Sequence, residues 1–415
     1  MKITRIEQVV SWRLCVGCGA CAYICRKGHI ELRDIPTQGI RPVIHSGDCG
    51  TCTDCLDACP GLLAPDVQMA LQTLKFTGIN EKCWGPVIEV WEGYASDPEV
   101  RHKGSSGGAT TALALYCLEK KGLYGALHIG SDKEEPLKNK IYMSCSRPEV
   151  ISRTGSRYSP ASPCAGLERI ESAPARCVFI GKGCDIAGLR KACRIRPDLQ
   201  KNNGLAIGIF CAGTPSGRGL SELLNKMQVN PDAVREIRYR GMGWPGSFTV
   251  DVNDNERTSH SIPYMEAWGF LQKYRPYRCY LCPDGTAALA DISCGDPWHR
   301  KAREGDPGHS LVIVRTEKGR KILHEAMDTG YLSLKPASMQ TLNDSQVGLL
   351  QRVKEIWGRL LTMKLFGLPI PQYPGFFLFE QWLTATANQK ARSIVGTARR
   401  IVQRKYYRPF TTGQP

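Results

Sequence analysis

The stretch ARCVFIGKGCDIAGLRKAC, residues 175–193, decides how the middle of this 415-residue chain is read. CVFIG is short, apolar and partly β-branched, as a buried strand requires; KGCD is a tight turn with Cys184 in it; IAGLRKAC carries apolar residues at helical spacing. GLAIGIFCAGTPSG (204–217) repeats the strand and turn, with Cys211 at the strand's carboxyl end, and SLVIVRTEKGRKILHEAMDTG (310–330) repeats the strand and helix. Alternating strands and helices predict an α/β domain with a largely parallel sheet. In such sheets cofactors collect at the carboxyl ends of the strands, where Cys184 and Cys211 fall.

RCYLCPDG (278–285) holds an isolated C-x2-C, Cys279 and Cys282. Two thiolates do not complete a four-ligand metal site, so the pair is a redox dithiol, buried packing, or half of a larger site. Cys184 and Cys211 can face it across one crevice. The four together suffice for one [4Fe–4S] cluster.

Nearer the amino end, CVGCGACAYIC (15–25) and CGTCTDCLDACPG (49–61) each read C-x2-C-x2-C-x3-C. This is the spacing of two-cluster ferredoxins, in which the fourth cysteine of each run binds the other cluster. It assigns Cys15, Cys18, Cys21 and Cys59 to one cluster and Cys49, Cys52, Cys55 and Cys25 to a second. Gly17, Gly19 and Gly50 leave backbone N–H groups free to approach the sulfurs. Arg26 follows Cys25 where the pattern has proline. Structural zinc is the competing reading, but zinc is content with four thiolates and needs no eight at this period.

GSSGG (104–108) leads into an apolar run of helical period. A Gly/Ser turn at a helix start offers amides and a positive dipole end to a phosphate, although such turns are also common caps. No G-x-G-x-x-G opens a strand–turn–helix unit, so a nicotinamide site of the Rossmann type is not supported. Residues 82–86 read as a linker. ADISCGDPW (290–298) reads equally as a site-lining segment or a plain loop. The scattered histidines, His102 and His128 among them, offer no catalytic acid or base.

Composition fits a globular protein: 42% apolar and 23% charged residues, with 19 cysteines and a net charge of +16. So many cysteines in a reducing cytosol, the expected compartment, read as metal ligands before disulfides. Cys83, Cys117, Cys145, Cys164, Cys177, Cys193 and Cys294 read as small apolar fillers, with Cys145 and Cys164 the best candidates for more. The start MKITRIEQVVSW lacks the pattern of a secretory signal. LFGLPIPQYPGFFLF (365–379), with three prolines in 15 residues, is rejected as a membrane span. Residues 351–415 carry 11 Lys/Arg against 2 Glu. From Gln381 onward they read as a basic amphipathic helix with Trp382, Leu383, Ile394, Val395, Ala398, Ile401 and Val402 on one face and Arg392, Arg399, Arg400 and Arg404 on the other. Such a helix suits an anionic membrane surface, an acidic ferredoxin, or packing on the protein's own core. Nucleic acid is disfavoured, since the tail offers few stacking aromatics.

KGSSGGATTALALY, GSRYSPAS, GCDIAGLRK, GIFCAG and CYLCPDGTAALADISCGD together resemble the beta subunits of coenzyme F-420-reducing hydrogenases and dehydrogenases, some of which carry a fused two-cluster ferredoxin. The resemblance covers roughly residues 91–330 plus the ferredoxin part. It implies that Cys184, Cys211, Cys279 and Cys282 ligate a [4Fe–4S] cluster. It also implies a bound FAD near Ser105, Ser106, Gly107, Gly108, Thr110, Arg157 and Tyr158. Where that family often reads T-P-C-Q, this chain has KGCD (182–185).

The expected organisation is α/β, α+β overall. A two-cluster ferredoxin domain spans 1–80. The flavin-turn part of an F-420 hydrogenase beta-subunit-like region spans 86–170, the part with the third cluster 171–345, and a basic helical tail 346–415. The implied activity is that of an iron–sulfur flavoprotein oxidoreductase with three [4Fe–4S] clusters and FAD. It couples a one-electron carrier such as ferredoxin to hydride chemistry on coenzyme F-420 or another small-molecule substrate. The alternative is a non-catalytic electron-transfer subunit that delivers charge to a partner oxidoreductase subunit. The expected location is the cytoplasm, with the inner face of the membrane as a peripheral contact.

Overall fold

The computed structural model describes residues 2–45, 49, 51–67, 79–253, 258–303 and 305–410. Gly50 and the last five residues of the tail lie outside the described residues.

An eight-stranded sheet forms the centre. Its strands are β1 (Glu89–Ala95), β2 (Ala126–Ser131), β3 (Asn139–Ser144), β4 (Cys177–Lys182), β5 (Asn203–Ile209), β6 (Ile292–Gly295), β7 (Ser310–Val314) and β8 (Leu332–Ala337), in the order β8-β1-β7-β6-β5-β4-β2-β3. The sheet is mixed. β2, β4, β5 and β6 run parallel, and antiparallel strands flank them on both sides. In the register, Ile209 of β5 stands opposite both Lys182 of β4 and Cys294 of β6. Three parallel strands therefore end at one level, and the turns after them open on one side.

The strands alternate between two cores, as a sheet buried on both faces must. Val178, Leu205, Ile207, Ile292 and Val312 face helices α1 (Ala109–Glu119) and α3 (Glu317–Asp328). Cys177, Phe179 and Ala206 face α2 (Gly183–Ile195) and, beyond it, the N-terminal cysteine module through Cys18, Ala20 and Ile24. Complete burial of side chains such as Phe179 and Leu205 contributes about 1.5–3 kcal/mol each. The module docks closely because α2 has a glycine at the contact. A Cβ on Gly188 would lie 3.1 Å from Cys18 Sγ and 3.2 Å from Cys164 Sγ.

A three-stranded antiparallel sheet (Val234–Arg238, Ser247–Val252, Ser259–Pro263) and helix Tyr264–Leu271 build a satellite core beside the main sheet. Residues 82–86 are no loose linker. They turn a β-hairpin, Ile79–Glu81 with Gly85–Val87, whose Trp84 is buried. Arg315, 1% exposed, donates to the Trp84 and Pro86 carbonyls at 2.8 and 2.7 Å and so pins the hairpin to the sheet.

The tail also differs from the expectation. It comprises α4 (Val347–Leu365), α5 (Leu378–Leu383) and α6 (Ala387–Gln403). Thr386 caps α6, its hydroxyl accepting from the Gln389 amide, and so breaks the continuous helix expected from Gln381. α6 packs on α4 through Ser393, Thr397 and Ile401, while Val395 and Val402 are 65% and 56% exposed. The face toward the core is thus a stripe of small residues plus Ile401, not the apolar face counted from the sequence. Among the described residues no helix is long and apolar enough to cross a membrane.

Candidate functional site

The start of α2, directly after β4, carries Cys184, the turn after β5 carries Cys211, and the short helix Tyr277–Tyr280 brings Cys279, with Cys282 just beyond it. All four line one cavity of about 60 Å³, together with Cys15 of the N-terminal module. Cys184 sits in the first turn of α2 rather than in a separate loop. Burial pushes its thiol well above the ordinary range; Asp185 adds to this, Lys182 opposes it, and Cys211 and Cys282 add again. Burial likewise pushes Cys282 up to about 11, with Arg352 and Arg278 opposing. The amide of Gly213 donates to Cys211 Sγ at 3.3 Å.

In the N-terminal module the thiols of both cysteine runs act on one another. Burial raises Cys21, and Cys15, Cys18 and Cys59 raise it further, with Cys55 the weakest contributor. Burial raises Cys55 to about 11, and its thiol feels Cys49, Cys52 and Cys25. Cys15, Cys18, Cys21 and Cys59 are buried, whereas Cys25, Cys49 and Cys55 are half-buried and Cys52 is exposed. Gly17 and Gly19 take left-handed conformations in the first loop. Gly61 N–H donates to Cys59 Sγ at 3.3 Å.

Buried thiols that raise one another's pKa are costly as bare thiolates, and a metal core relieves that cost. Among the described residues no three His, Cys, Asp or Glu side chains converge on a single-ion site. A four-iron cluster with four cysteine ligands spreads its thiolates over several irons, and the three cysteine sets fit such a group.

A second cavity, of about 790 Å³, adjoins the first. It falls within the usual range for ligand sites, about 300–1,000 Å³. Ser105, Ser106, Gly108, Thr110, Arg157 and Tyr158 line it. Ser105 Oγ accepts the Ser156 amide at 2.7 Å and so ties the Gly/Ser turn to the 155–159 segment. Gly107 is not among the lining residues. Its Cβ position points at His309 and Ser310 backbone, 2.7–2.8 Å away, so this glycine is required by packing. Arg157 donates to Asn139 Oδ1 and the Ile237 carbonyl at 2.7 Å and to the Pro136 and Lys138 carbonyls at 3.3 Å. Its guanidinium clamps the satellite sheet to the β2–β3 region, which occupies four of its five N–H donors.

Several lining residues escape a reading of the sequence. Tyr264, Trp268 and Trp298 form an aromatic wall with Tyr158, whose ring lies 5.3 Å from Trp268. Behind it, Arg240 is bound to Asp296 at 2.8 and 2.7 Å and lies over the Tyr264 ring at 4.4 Å. Asp296 and Trp298 give ADISCGDPW its place: the segment is β6 plus part of the cavity wall. Lys182, Cys211 and Arg352 line both cavities. Arg352 reaches in from the tail helix α4 and donates to the Ala212 and Cys211 carbonyls at 3.0 and 3.2 Å. His128 bonds Ser144 Oγ at 2.8 Å and is a buried packing residue with an edge on the large cavity. Of the supposed filler cysteines, Cys164 contacts the Asp185 carbonyl at 3.2 Å and pulls the Cys18 thiol down through a hydrogen bond, while Cys145 is exposed.

Comparison with known proteins matches residues 90–167 to the N-terminal part, and 175–340 to the C-terminal part, of the coenzyme F420 hydrogenase/dehydrogenase beta subunit. Residues 14–61 match a 4Fe-4S dicluster domain. The chain is similar to the coenzyme F420 hydrogenase subunit beta of Methanococcus voltae, 26% identical over 290 residues, 67% of this chain and 95% of that protein. It is similar to an F(420)H(2) dehydrogenase subunit of Methanosarcina mazei, 24% identical over 373 residues, 88% of this chain and 92% of that protein. A chain of the F420-reducing [NiFe] hydrogenase complex from Methanosarcina barkeri superposes with a TM-score of 0.53 at 22% identity, covering 68% of this chain and 96% of that one, which shows a shared fold.

Proposed function

The chain belongs to the family of coenzyme F420 hydrogenase/dehydrogenase beta subunits, and from that premise we propose that it is an iron–sulfur flavoprotein oxidoreductase joining a one-electron carrier to a two-electron organic substrate. The observation that carries this reading is the shared wall. The cavity of Cys184, Cys211, Cys279 and Cys282 touches Cys15 on one side and shares Lys182, Cys211 and Arg352 with the large cavity on the other. When bound, [4Fe–4S] clusters carry single electrons and FAD exchanges a hydride for single electrons, so such an array suits a wire between the two chemistries.

In this reading the three cysteine sets hold three clusters, and the large cavity holds FAD with coenzyme F420 or another small molecule as substrate. Ser105, Ser106, Gly108 and Thr110 bind the flavin at the start of α1. Tyr158 and Trp268 offer ring faces to a planar group and exclude water. The exposed edge at Cys52 is the end for an external carrier such as ferredoxin. A partner oxidoreductase subunit is consistent with relatives that are hydrogenase and dehydrogenase subunits. Contact of the basic tail with an anionic membrane is a secondary proposal. Since α6 spends its inner face on α4, that contact rests on charge and is salt-labile. Co-sedimentation with anionic vesicles that persists in high salt would contradict it.

Anaerobic purification followed by iron, sulfide and flavin analysis tests the main reading. The expected result is about twelve iron, twelve sulfide and one FAD per chain. Cys282→Ser should lose the signal of the third cluster and keep the coupled ferredoxin pair in EPR. About eight iron would return Cys279 and Cys282 to other roles. Full cofactor content without dye reduction by reduced F420, NAD(P)H or reduced ferredoxin would favour a non-catalytic subunit.

A further inference from the structure

Lys182 ends β4 and lines both cavities. Its ammonium stands 2.6 Å from Asp185 Oδ2, and the same oxygen accepts the Lys182 backbone amide at 3.0 Å. The Asp185 side chain is 1% exposed and that of Lys182 22% exposed, so water screens the pair little. Between them in sequence lies Cys184, with Cys211 on the same wall. A cation and an anion are thus held by one strand end and one helix start, beside the four-cysteine cavity.

We propose that the Lys182–Asp185 pair sets the reduction potential of the group held by Cys184, Cys211, Cys279 and Cys282, the lysine raising it and the aspartate lowering it. The proposal rests on the functional reading that these cysteines hold an iron–sulfur cluster. Reduction adds a negative charge at the cysteine cavity. A fixed cation nearby favours the added charge and a fixed anion disfavours it, and both effects are stronger in an interior of low effective dielectric. The two side chains are bonded to each other, so removing either leaves the other uncompensated. The two removals therefore act with opposite sign. A merely structural role for the pair has no such signature, because loss of either partner would loosen the same turn.

The test is an EPR-monitored redox titration of the anaerobically purified holoprotein, wild type against Lys182→Met, Lys182→Arg and Asp185→Asn. In Lys182→Met the third signal should move to lower potential by about a tenfold change in the reduced-to-oxidised ratio, 59 mV for one electron. In Asp185→Asn it should move up, Lys182→Arg should stay near wild type, and the ferredoxin signals should not move. If Asp185→Asn loses iron because Asp185 also caps α2, the Met and Arg variants decide the sign alone. Shifts of both Lys182→Met and Asp185→Asn in one direction, or an unmoved potential with the cluster retained, overturn this proposal and leave the proposed function standing. A wild-type chain with only about eight iron overturns the third cluster and this proposal with it.

Discussion

At the scale of single residues, Asp291 ties the central sheet to the helices on both of its faces. Its carboxylate accepts the Ala206 amide of β5 at 2.8 Å and the Thr316 hydroxyl at 2.9 Å, and it pairs with Arg190 of α2 at 3.4 Å and Lys318 of α3 at 3.1 Å. Burial works against the charge, but Lys318, Arg190 and the Ala206 amide together hold the pKa below the ordinary 3.8. Because the folded value is the lower one, this contribution is complete above the unfolded pKa and is lost as pH falls through the folded value. Asp291→Asn leaves Arg190 without its counter-charge, so a loss of about 3–5 kcal/mol is expected at pH 7. Urea midpoints at pH 7, 5 and 3.5 check it. The gap between wild type and variant should be full at pH 7 and 5 and begin to close at 3.5. A gap that is constant over this range would remove the carboxylate's charge from the explanation.

At the scale of elements, the α4–α6 crossing depends on one missing side chain. A Cβ on Gly358 would stand 2.1 Å from Ser393 Oγ, 2.7 Å from Trp382 Nε1 and 3.0 Å from Ser393 Cβ. Gly358→Ala should therefore lift α6 from α4 at a cost of about 1–3 kcal/mol, the usual range for overpacking. Limited proteolysis within 384–403 should quicken, and Ser393→Gly, which removes two of the three contacts, should partly restore protection. Unchanged proteolysis of the single variant would mean that the crossing adjusts freely. This crossing also shows what a sequence can and cannot disclose. The cysteine spacings and the strand–turn–helix at 177–195 are legible because ligand geometry and backbone period write themselves into consecutive residues. The tail's buried face is not, because Ser393 and Thr397 are inside for their small size, which a count of apolar residues passes over. Lys182 and Arg352 line the same two cavities from 170 positions apart in sequence, and no local pattern joins them. Gly107 stands in a suggestive turn, yet its reason is the His309 backbone.

At the scale of the whole molecule, Arg278 joins three parts of the chain next to Cys279. Buried at 4% exposure, it donates to the Leu14 carbonyl at 3.0 Å and the Gly61 carbonyl at 3.2 Å, both in the N-terminal module. It also bonds the Tyr373 hydroxyl, which in turn donates to the Leu281 carbonyl at 2.7 Å. The guanidinium thus fixes the first ferredoxin loop, the third cysteine set and the tail segment to one another. A rigid junction matters to the proposed function because Cys15 shares the small cavity with Cys279 and Cys282. Arg278→Met would leave the Leu14 and Gly61 carbonyls buried and unpaired, at about 1–3 kcal/mol each. Lysine cannot replace the fork, since one ammonium cannot match its planar array of donors. Hydrogen exchange should therefore rise across residues 9–21 and 59–62 in Arg278→Met, fall back only in part in Arg278→Lys, and stay unchanged across β4 and β5, whose pairing does not involve Arg278. If exchange rises equally over the whole chain, Arg278 is a general stabiliser of the fold. If it rises nowhere, the module is held without Arg278 by its other contacts, among them Ser162 Oγ donating to the Gly17 carbonyl at 2.7 Å and the Cys164 amide donating to the Cys18 carbonyl at 2.9 Å.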